Sequence, residues 1–230
     1  MHESDGHTIG GTMCGAKIYH RVIFLFLTYQ ISPFLVDGMK FDLRIYVLIL
    51  GCDPLKLLIY KEGLVRIATE FYEIPNEKNK ENHFKHLTNY AINKDHPEYE
   101  FNTDANKADK GNKRNLAFLW EYLKNSNYNP DIVWTEIKKL ALKTLISVQP
   151  ILIHNFKSCQ PEDPFNQMCF EVLGLDVILD RNLKPFLLEV NHSPSFATCT
   201  PFDQEVKSNL INDTFTILNP TYENRCYIKT

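Results

Sequence analysis

Hydrophobic and polar positions along this chain fall into three patterns. Residues 41–50, FDLRIYVLIL, are rich in β-branched and aromatic side chains and predict a strand. Gly51, Cys52, Asp53 and Pro54 mark a turn after it. Leu55–Tyr60 and Leu64–Thr69 read as two further strands, with Lys61, Glu62 and Gly63 suited to a hairpin loop between them. Residues 73–83 and 93–114 are polar and charged, which predicts long surface loops.

Helical spacing takes over next. Leu116–Lys124 predicts a short helix. Asn129 is placed as an N-cap, Pro130 as the first helical residue, and Asp131 at the positive helix end. Val133, Trp134, Ile137, Leu140, Ala141, Leu145 and Val148 recur at helical spacing as core positions, and Pro150 supplies a stop. Residues 170–190 then present two apolar runs about a short polar turn, an antiparallel hairpin. Strands, loops, helices and strands in this order predict an α+β or α/β domain with a largely antiparallel sheet flanked by helices.

Composition narrows the function classes. The net charge of −3 and pI near 6.2 show no basic excess for nucleic acid or an anionic membrane. The six cysteines include no C-x-x-C pair, so neither a zinc site nor a redox motif is expected, and reduced thiols in a cytosolic compartment are. The apolar run Val22–Leu27 is far short of the roughly 20 residues of a membrane helix. The opening residues have no basic n-region, so no secretory leader is expected.

Candidate chemistry concentrates in the hairpin. With Arg181 and Asn182 as a two-residue turn, Asp176 falls opposite Leu187 and Gly174 opposite Glu189. Asp176 then shares a sheet face with Glu189, on the diagonal, and with Asn191. Two carboxylates and an amide oxygen are hard ligands suited to Mg²⁺, which also keeps waters and phosphate oxygens. Gly174 would leave room for such an approach. Acids on a solvated strand face are the competing reading.

Lys40, Asp42 and Arg44 alternate along one face of the first strand, with Phe41, Leu43 and Ile45 on the other. They could grip phosphate or ribose, or simply pair with one another at the surface. Arg66, a cation among apolar neighbours, calls for an anionic partner. His86-Leu87-Thr88-Asn89-Tyr90, followed by Lys94, suits either ligand contacts or a capped turn.

These pieces resemble the tubulin–tyrosine-ligase-like family. The carrying strings include PFLVDGMKFDLRIYVLI (33–49), HLTNYAINK (86–94), CFEVLGLDVILD (169–180) and LKPFLLEVNHSPSF (183–196), in wording similar to the polyglutamylase branch. The resemblance implies an ATP-grasp fold and ATP- and Mg²⁺-dependent ligation of L-glutamate onto glutamate side chains of tubulin C-terminal tails. It makes Asp176, Glu189 and Asn191 metal ligands, and Lys40, Asp42, Thr88 and Asn89 ATP contacts. Arg66, Tyr90, Lys94, Lys113 and His192 become contacts to the incoming glutamate or the acceptor, with Arg66, Lys94 and His192 closest to the reaction. A cytoplasmic, microtubule-associated place, including cilium or basal body, follows from the same likeness, with no nucleic-acid or membrane partner.

The chain departs from the family before residue 33. The glycine-rich lid and phosphate-binding lysines are not found in residues 1–28, and Gly10, Gly11 and Lys17 are poor substitutes. The expected organisation is an atypical segment 1–28, a partial ATP-grasp domain 29–219 and a tail 220–230, without the N-terminal part of the fold. A protein of the same fold that binds nucleotide or tubulin without catalysis is the alternative function.

Overall fold

The computed structural model describes residues 32–103, 110–161 and 169–219. The expectations for 1–28 and 220–230 lie outside the described residues. Six strands form one antiparallel sheet: β1 (Leu35–Val36), β2 (Met39–Cys52), β3 (Leu55–Phe71), β4 (Lys113–Asn115), β5 (Glu171–Leu179) and β6 (Pro185–Asn191). Their order is β4-β3-β2-β5-β6, with β1 also paired to β2. Among the described residues five helices accompany them: α1 (His83–His86), α2 (Tyr90–Asn93), α3 (Leu116–Asn125), α4 (Pro130–Cys159) and α5 (Pro201–Leu218). The α+β class and the antiparallel sheet agree with the sequence reading.

Alternation along β2 separates two environments. Phe41, Leu43, Ile45 and Val47 face the main core, packed with Leu119 of α3 and with Ile137 of α4. The opposite face carries Lys40, Asp42, Arg44 and Tyr46, all but Arg44 buried. α5 lies toward that second face: Phe202 and Val206 pack with Leu64, and Leu210 packs with Tyr46, Leu48 and Val172.

The hairpin expected at Lys61–Gly63 is a correction. β3 is a single 17-residue strand that runs straight through those residues. Ile45 pairs with Gly63 and Val47 with Ile59, so Tyr60, Lys61 and Glu62 bulge out opposite Tyr46. A Cβ at Gly63 would collide with the Arg44 carbonyl oxygen, so glycine marks close backbone approach here rather than a turn. The bulge also frees Glu62, whose carboxylate accepts from the Leu116 amide at 2.6 Å and so caps α3.

Pro150 does not stop α4, which continues to Cys159. The proline is exposed, so the Ile146 carbonyl left without its amide partner can turn to solvent. Val148, expected in the core, is 39% exposed. The start of α4 is as expected: Asn129 accepts from the Asp131 amide at 3.0 Å. Loops dominate the described parts of 73–83 and 93–114, except that Lys113 and Arg114 belong to β4, and Asn93, Asn102 and Lys113 are buried.

The turn joining β5 to β6 is wider than two residues. Asp180 caps it by accepting from the amides of Asn182 and Lys184, and Leu183 adopts a left-handed φ of 64°. A further irregularity lies between Asp176 and Val177, which pair with Glu189 and Leu187 and leave Leu188 extra. Asp176 is therefore directly opposite Glu189, and Gly174 opposite Asn191. The expected pairings of Asp176 with Leu187 and Gly174 with Glu189 are corrected, while the expected common face survives.

Candidate functional site

The polar face of the sheet is organised by two adjacent cross-strand pairs. Asp42 of β2 is opposite Arg66 of β3, and Arg44 of β2 is opposite Asp176 of β5. The Arg66 guanidinium donates to both Asp42 carboxylate oxygens at 2.6 Å each. It also reaches across β2 to Asp176 at 2.8 Å. Arg44 in turn donates to the two Asp176 oxygens at 2.5 and 3.1 Å. Two guanidiniums and two carboxylates thus form a chain spanning three strands. Bidentate geometry and full pairing are what make such burial tolerable.

This chain fixes the ionisation of its members. Burial lowers the Arg66 pKa, but Asp42 and Asp176 more than offset that and hold it above the usual value. Burial raises that of Asp176, but Arg66 and Arg44 outweigh it and keep the carboxyl below the usual carboxylate range. The sequence reading of Arg66 as a cation seeking an anion is met twice over. Lys40, Asp42 and Arg44 each take partners from other segments rather than from one another, and the strip lies inside the protein rather than on a wet surface.

Lys40 donates to the His86 carbonyl at 2.7 Å. Burial depresses its pKa to about 8, which the Asp42 charge only partly opposes. Thr88 donates to Asp42 at 2.6 Å, so the His86–Tyr90 segment is pinned to β2 at two points. Asn93 fixes its far end, accepting from the Thr69 hydroxyl at 2.6 Å and donating to the carbonyls of Leu87 and Asn89. The segment is therefore both a capped turn and a wall of the site. Asn89 is half-buried at the start of α2 and makes no side-chain cap.

At the β4 edge, Lys113 pairs with Arg66 across the strands and lies over the Tyr90 ring at 3.7 Å from its centroid. Its ammonium donates to both oxygens of Asp203 in the first turn of α5, at 3.0 and 3.2 Å. Burial, with hydrogen bonding to Cys199 next, raises the Tyr90 phenol to about 12. Lys94 is exposed and has no side-chain partner among the described residues. His192 is exposed beyond β6. Neither Lys94 nor His192 is drawn into the buried ion chain.

On the β6 side, Glu189 is half-buried and has no hydrogen bond or ion pair among the described residues. The Asn191 amide nitrogen points to the Gly174 carbonyl at 3.4 Å, leaving its amide oxygen open. Two open oxygen donors suit a hard divalent cation that keeps water and phosphate oxygens as its other ligands, while Asp176, opposite Glu189, has both of its oxygens engaged by Arg44 and Arg66. No cluster of three His, Cys, Asp or Glu side chains able to hold a metal occurs among the described residues. Gly174 does not open space for a ligand as expected. A Cβ there would meet Arg44 Cδ at 3.0 Å and Pro194 Cβ at 3.1 Å, so its bareness lets the Arg44 stem cross to Asp176.

Sequence reasoning overlooked Asp203, Lys207, Tyr46 and the whole of α5. A signal was present: Thr200 as N-cap, Pro201 in the first turn, and Val206, Leu210 and Thr214 buried at spacings of four. Cys159, Cys169 and Cys199 are free thiols. No helix among the described residues is long and apolar enough to cross a membrane.

Comparison with known proteins places this geometry in context. The profile described as "Tubulin-tyrosine ligase family" matches residues 22–226. The chain is 51% identical over 193 residues to a protein named "Probable beta-tubulin polyglutamylase" from Tetrahymena thermophila, covering 84% of this chain and 16% of that protein. It is 48% identical over 191 residues to human "Tubulin polyglutamylase TTLL6", covering 83% and 21%. Mouse "Tubulin polyglutamylase TTLL7" is 41% identical over 216 residues, covering 93% and 23%. The chain thus spans about a sixth to a quarter of the length of these relatives. With a family match across nearly its whole length and that buried ion chain at its centre, this chain belongs to the tubulin-tyrosine ligase family.

Proposed function

We propose that this chain carries the nucleotide- and metal-holding face of an ATP-dependent carboxylate–amine ligase that adds L-glutamate to glutamate side chains of tubulin tails. The observation that supports it best is the gathering of Lys40, Asp42, Arg44, Arg66, Asp176, Glu189 and Asn191 on one face of an antiparallel, ATP-grasp-like sheet. The relatives named as tubulin polyglutamylases supply the acceptor class. The same names favour a microtubule-associated, cytoplasmic setting, within which a cilium or basal body is the narrower proposal.

A carboxylate is a poor acyl donor, and ATP with Mg²⁺ supplies the phosphoryl group and charge neutralisation that activate it. The residues here would bind and orient. Glu189 and Asn191 would offer their open oxygens to the cation, Asp176 would join them only by giving up an arginine contact, and Lys40 would offer an ammonium to a phosphate. Asp42, Thr88 and Asn89 line the nucleotide side. Arg66, Lys113 and Tyr90 lie between that side and α5, where an amino-acid carboxylate could be held. Lys94 and His192, both exposed, suit contacts to an acidic acceptor tail. Such an arrangement works by positioning and electrostatics and needs no protein nucleophile.

A second reading, binding of nucleotide or tubulin without catalysis, draws on one observation. Both Asp176 oxygens are already engaged by arginines, which leaves Glu189 and Asn191 as the open donors. One assay separates the two. ATP-dependent incorporation of labelled glutamate into tubulin by this chain, abolished by Glu189→Gln, is the expected result. ATP binding without incorporation by either protein supports the second reading and overturns the first.

A further inference from the structure

The two carboxylate oxygens of Asp176 are held unequally. Oδ1 accepts from Arg44 Nε at 2.5 Å and from no other group among the described residues. Oδ2 accepts from Arg66 at 2.8 Å and, more loosely, from Arg44 at 3.1 Å. The two guanidiniums differ as well. Arg66 is also bound to both oxygens of Asp42, whereas Asp176 is the one carboxylate that Arg44 reaches among the described residues. Breaking the Arg44 link therefore bares Oδ1 completely, while Oδ2 stays on Arg66 and the carboxylate keeps its place. Breaking the Arg66 link bares neither oxygen, since Arg44 remains on both.

The path of the Arg44 side chain sets this breakable link beside the open donors. Its stem passes Gly174, where an added Cβ would lie 3.0 Å from Arg44 Cδ and 3.3 Å from Arg44 Nε, with Pro194 Cβ at 3.1 Å. Gly174 is opposite Asn191, and Asp176, at the end of that path, is opposite Glu189. A cation drawn to Glu189 and Asn191 thus competes with the guanidinium for the one remaining carboxylate across the strand. A guanidinium cannot shed its charge. Pushed off Asp176, it is left unpaired beside a buried face, which is costly unless an anion arrives with the cation.

We propose that Arg44 is a displaceable counter-ion that keeps a divalent cation off Asp176 Oδ1 until an anion enters with it, so that the chain takes cation and anion together and the cation alone poorly. The anion has the chemistry of a phosphate oxygen. The inference rests on the ligase reading above for the cation and the nucleotide; the unequal hold on Asp176 is its own observation.

Mn²⁺ alone is the probe, added to the full chain and followed by loss of the free-ion paramagnetic resonance signal, with thermal melts alongside. Arg44→Gln should bind Mn²⁺ about ten- to a hundredfold more tightly than the wild type, the worth of a hydrogen bond to a charged group. The same variant should bind MgATP more weakly by calorimetry, an opposition of sign that a general loss of stability does not produce. Arg44→Lys keeps the charge but gives up the two-pronged grip, so it too should gain affinity for Mn²⁺, and it carries the test where Arg44→Gln melts below the assay temperature. Adding Glu189→Gln to either variant should abolish the gain. Three results overturn the proposal: Mn²⁺ affinity that does not rise in Arg44→Lys, which reduces Arg44 to a nearby like charge; a gain that survives Glu189→Gln, which puts the ion elsewhere; or MgATP affinity that does not fall in Arg44→Gln. In each of these cases wild-type binding of MgATP leaves the ligase reading standing. A wild-type chain that binds no MgATP, with no chain binding Mn²⁺, overturns both.

Discussion

Asp42 is the residue on which most of the site depends. It receives two hydrogen bonds from Arg66 and one from Thr88, and it is almost wholly buried. Asp42→Ala would leave Arg66 with Asp176 as its remaining carboxylate and Thr88 without an acceptor. A loss of about 3–5 kcal/mol is expected, the usual cost of breaking one side of a buried pair, measurable by urea denaturation. Lys40 gives a pH signature. The folded chain releases its proton near pH 8 and the unfolded chain near 10.5, so the unfolded state holds more protons between them. The Lys40 contribution to stability therefore rises across that window and is lost as pH falls through 8. Nucleotide binding should show the opposite trend, since a phosphate needs the ammonium: MgATP affinity is expected to fall as pH climbs through 8, and a Lys40→Arg chain should lose that inflection. Asp176 behaves conversely to an unpaired acid. Its folded pKa lies below the ordinary 3.8, so its contribution is present above that value and disappears as acid protonates it.

Among the elements, β3 and α4 show where local pattern misleads. Gly63→Ala is expected to destabilise by about 1–3 kcal/mol, the range for forcing atoms into a packed interior, because the new methyl would meet the Arg44 backbone. Chemical denaturation checks it. Pro150→Ala should act in the other direction. It restores an amide to an exposed helix interior, and a higher melting temperature is expected. The central strands β2, β5 and β6, the α3 and α4 starts and the alternating face of β2 were legible because period, caps and β-branched content agreed with one another, whereas the short β1 and β4 carried too few residues to show a period. Lys61-Glu62-Gly63 was misread because a bulge and a tight turn use the same residue types, and only pairing across to Ile45 and Val47 distinguishes them. The β5–β6 register was misread because Asp180 and Leu183 widen the turn and Leu188 is extra, shifts that carry no compositional mark. Common-face logic tolerated the error because the shift at Glu189 and Asn191 was an even number of residues.

At the scale of the molecule, site and core are two sides of one sheet. β2 holds Phe41, Leu43 and Ile45 against α3 and α4 while Asp42 and Arg44 make the ion chain behind them. The grouping of the proposed metal and nucleotide residues was readable from short strings, since strand alternation alone groups Lys40 with Asp42 and Asp176 with Glu189. Asp203, Lys207 and Tyr46 were not, because their meaning comes from α5 folding back over the sheet from far along the chain. Loss of α5 by deletion of residues 201–218 should expose Leu64, Tyr46 and Leu48 and leave Lys113 without its carboxylate. Increased binding of a hydrophobic dye, with a lowered melting temperature, is the expected result.

The reach of Arg66 across β2 to Asp176 has a consequence for how the sheet comes apart. One side chain ties the strands on both flanks of β2 at neighbouring rungs, so separating β3 from β2 also loosens the grip on β5. Backbone amides at the centre of all three strands should therefore exchange with deuterated solvent as a single cooperative unit, and Arg66→Gln should split that unit into two with different opening rates.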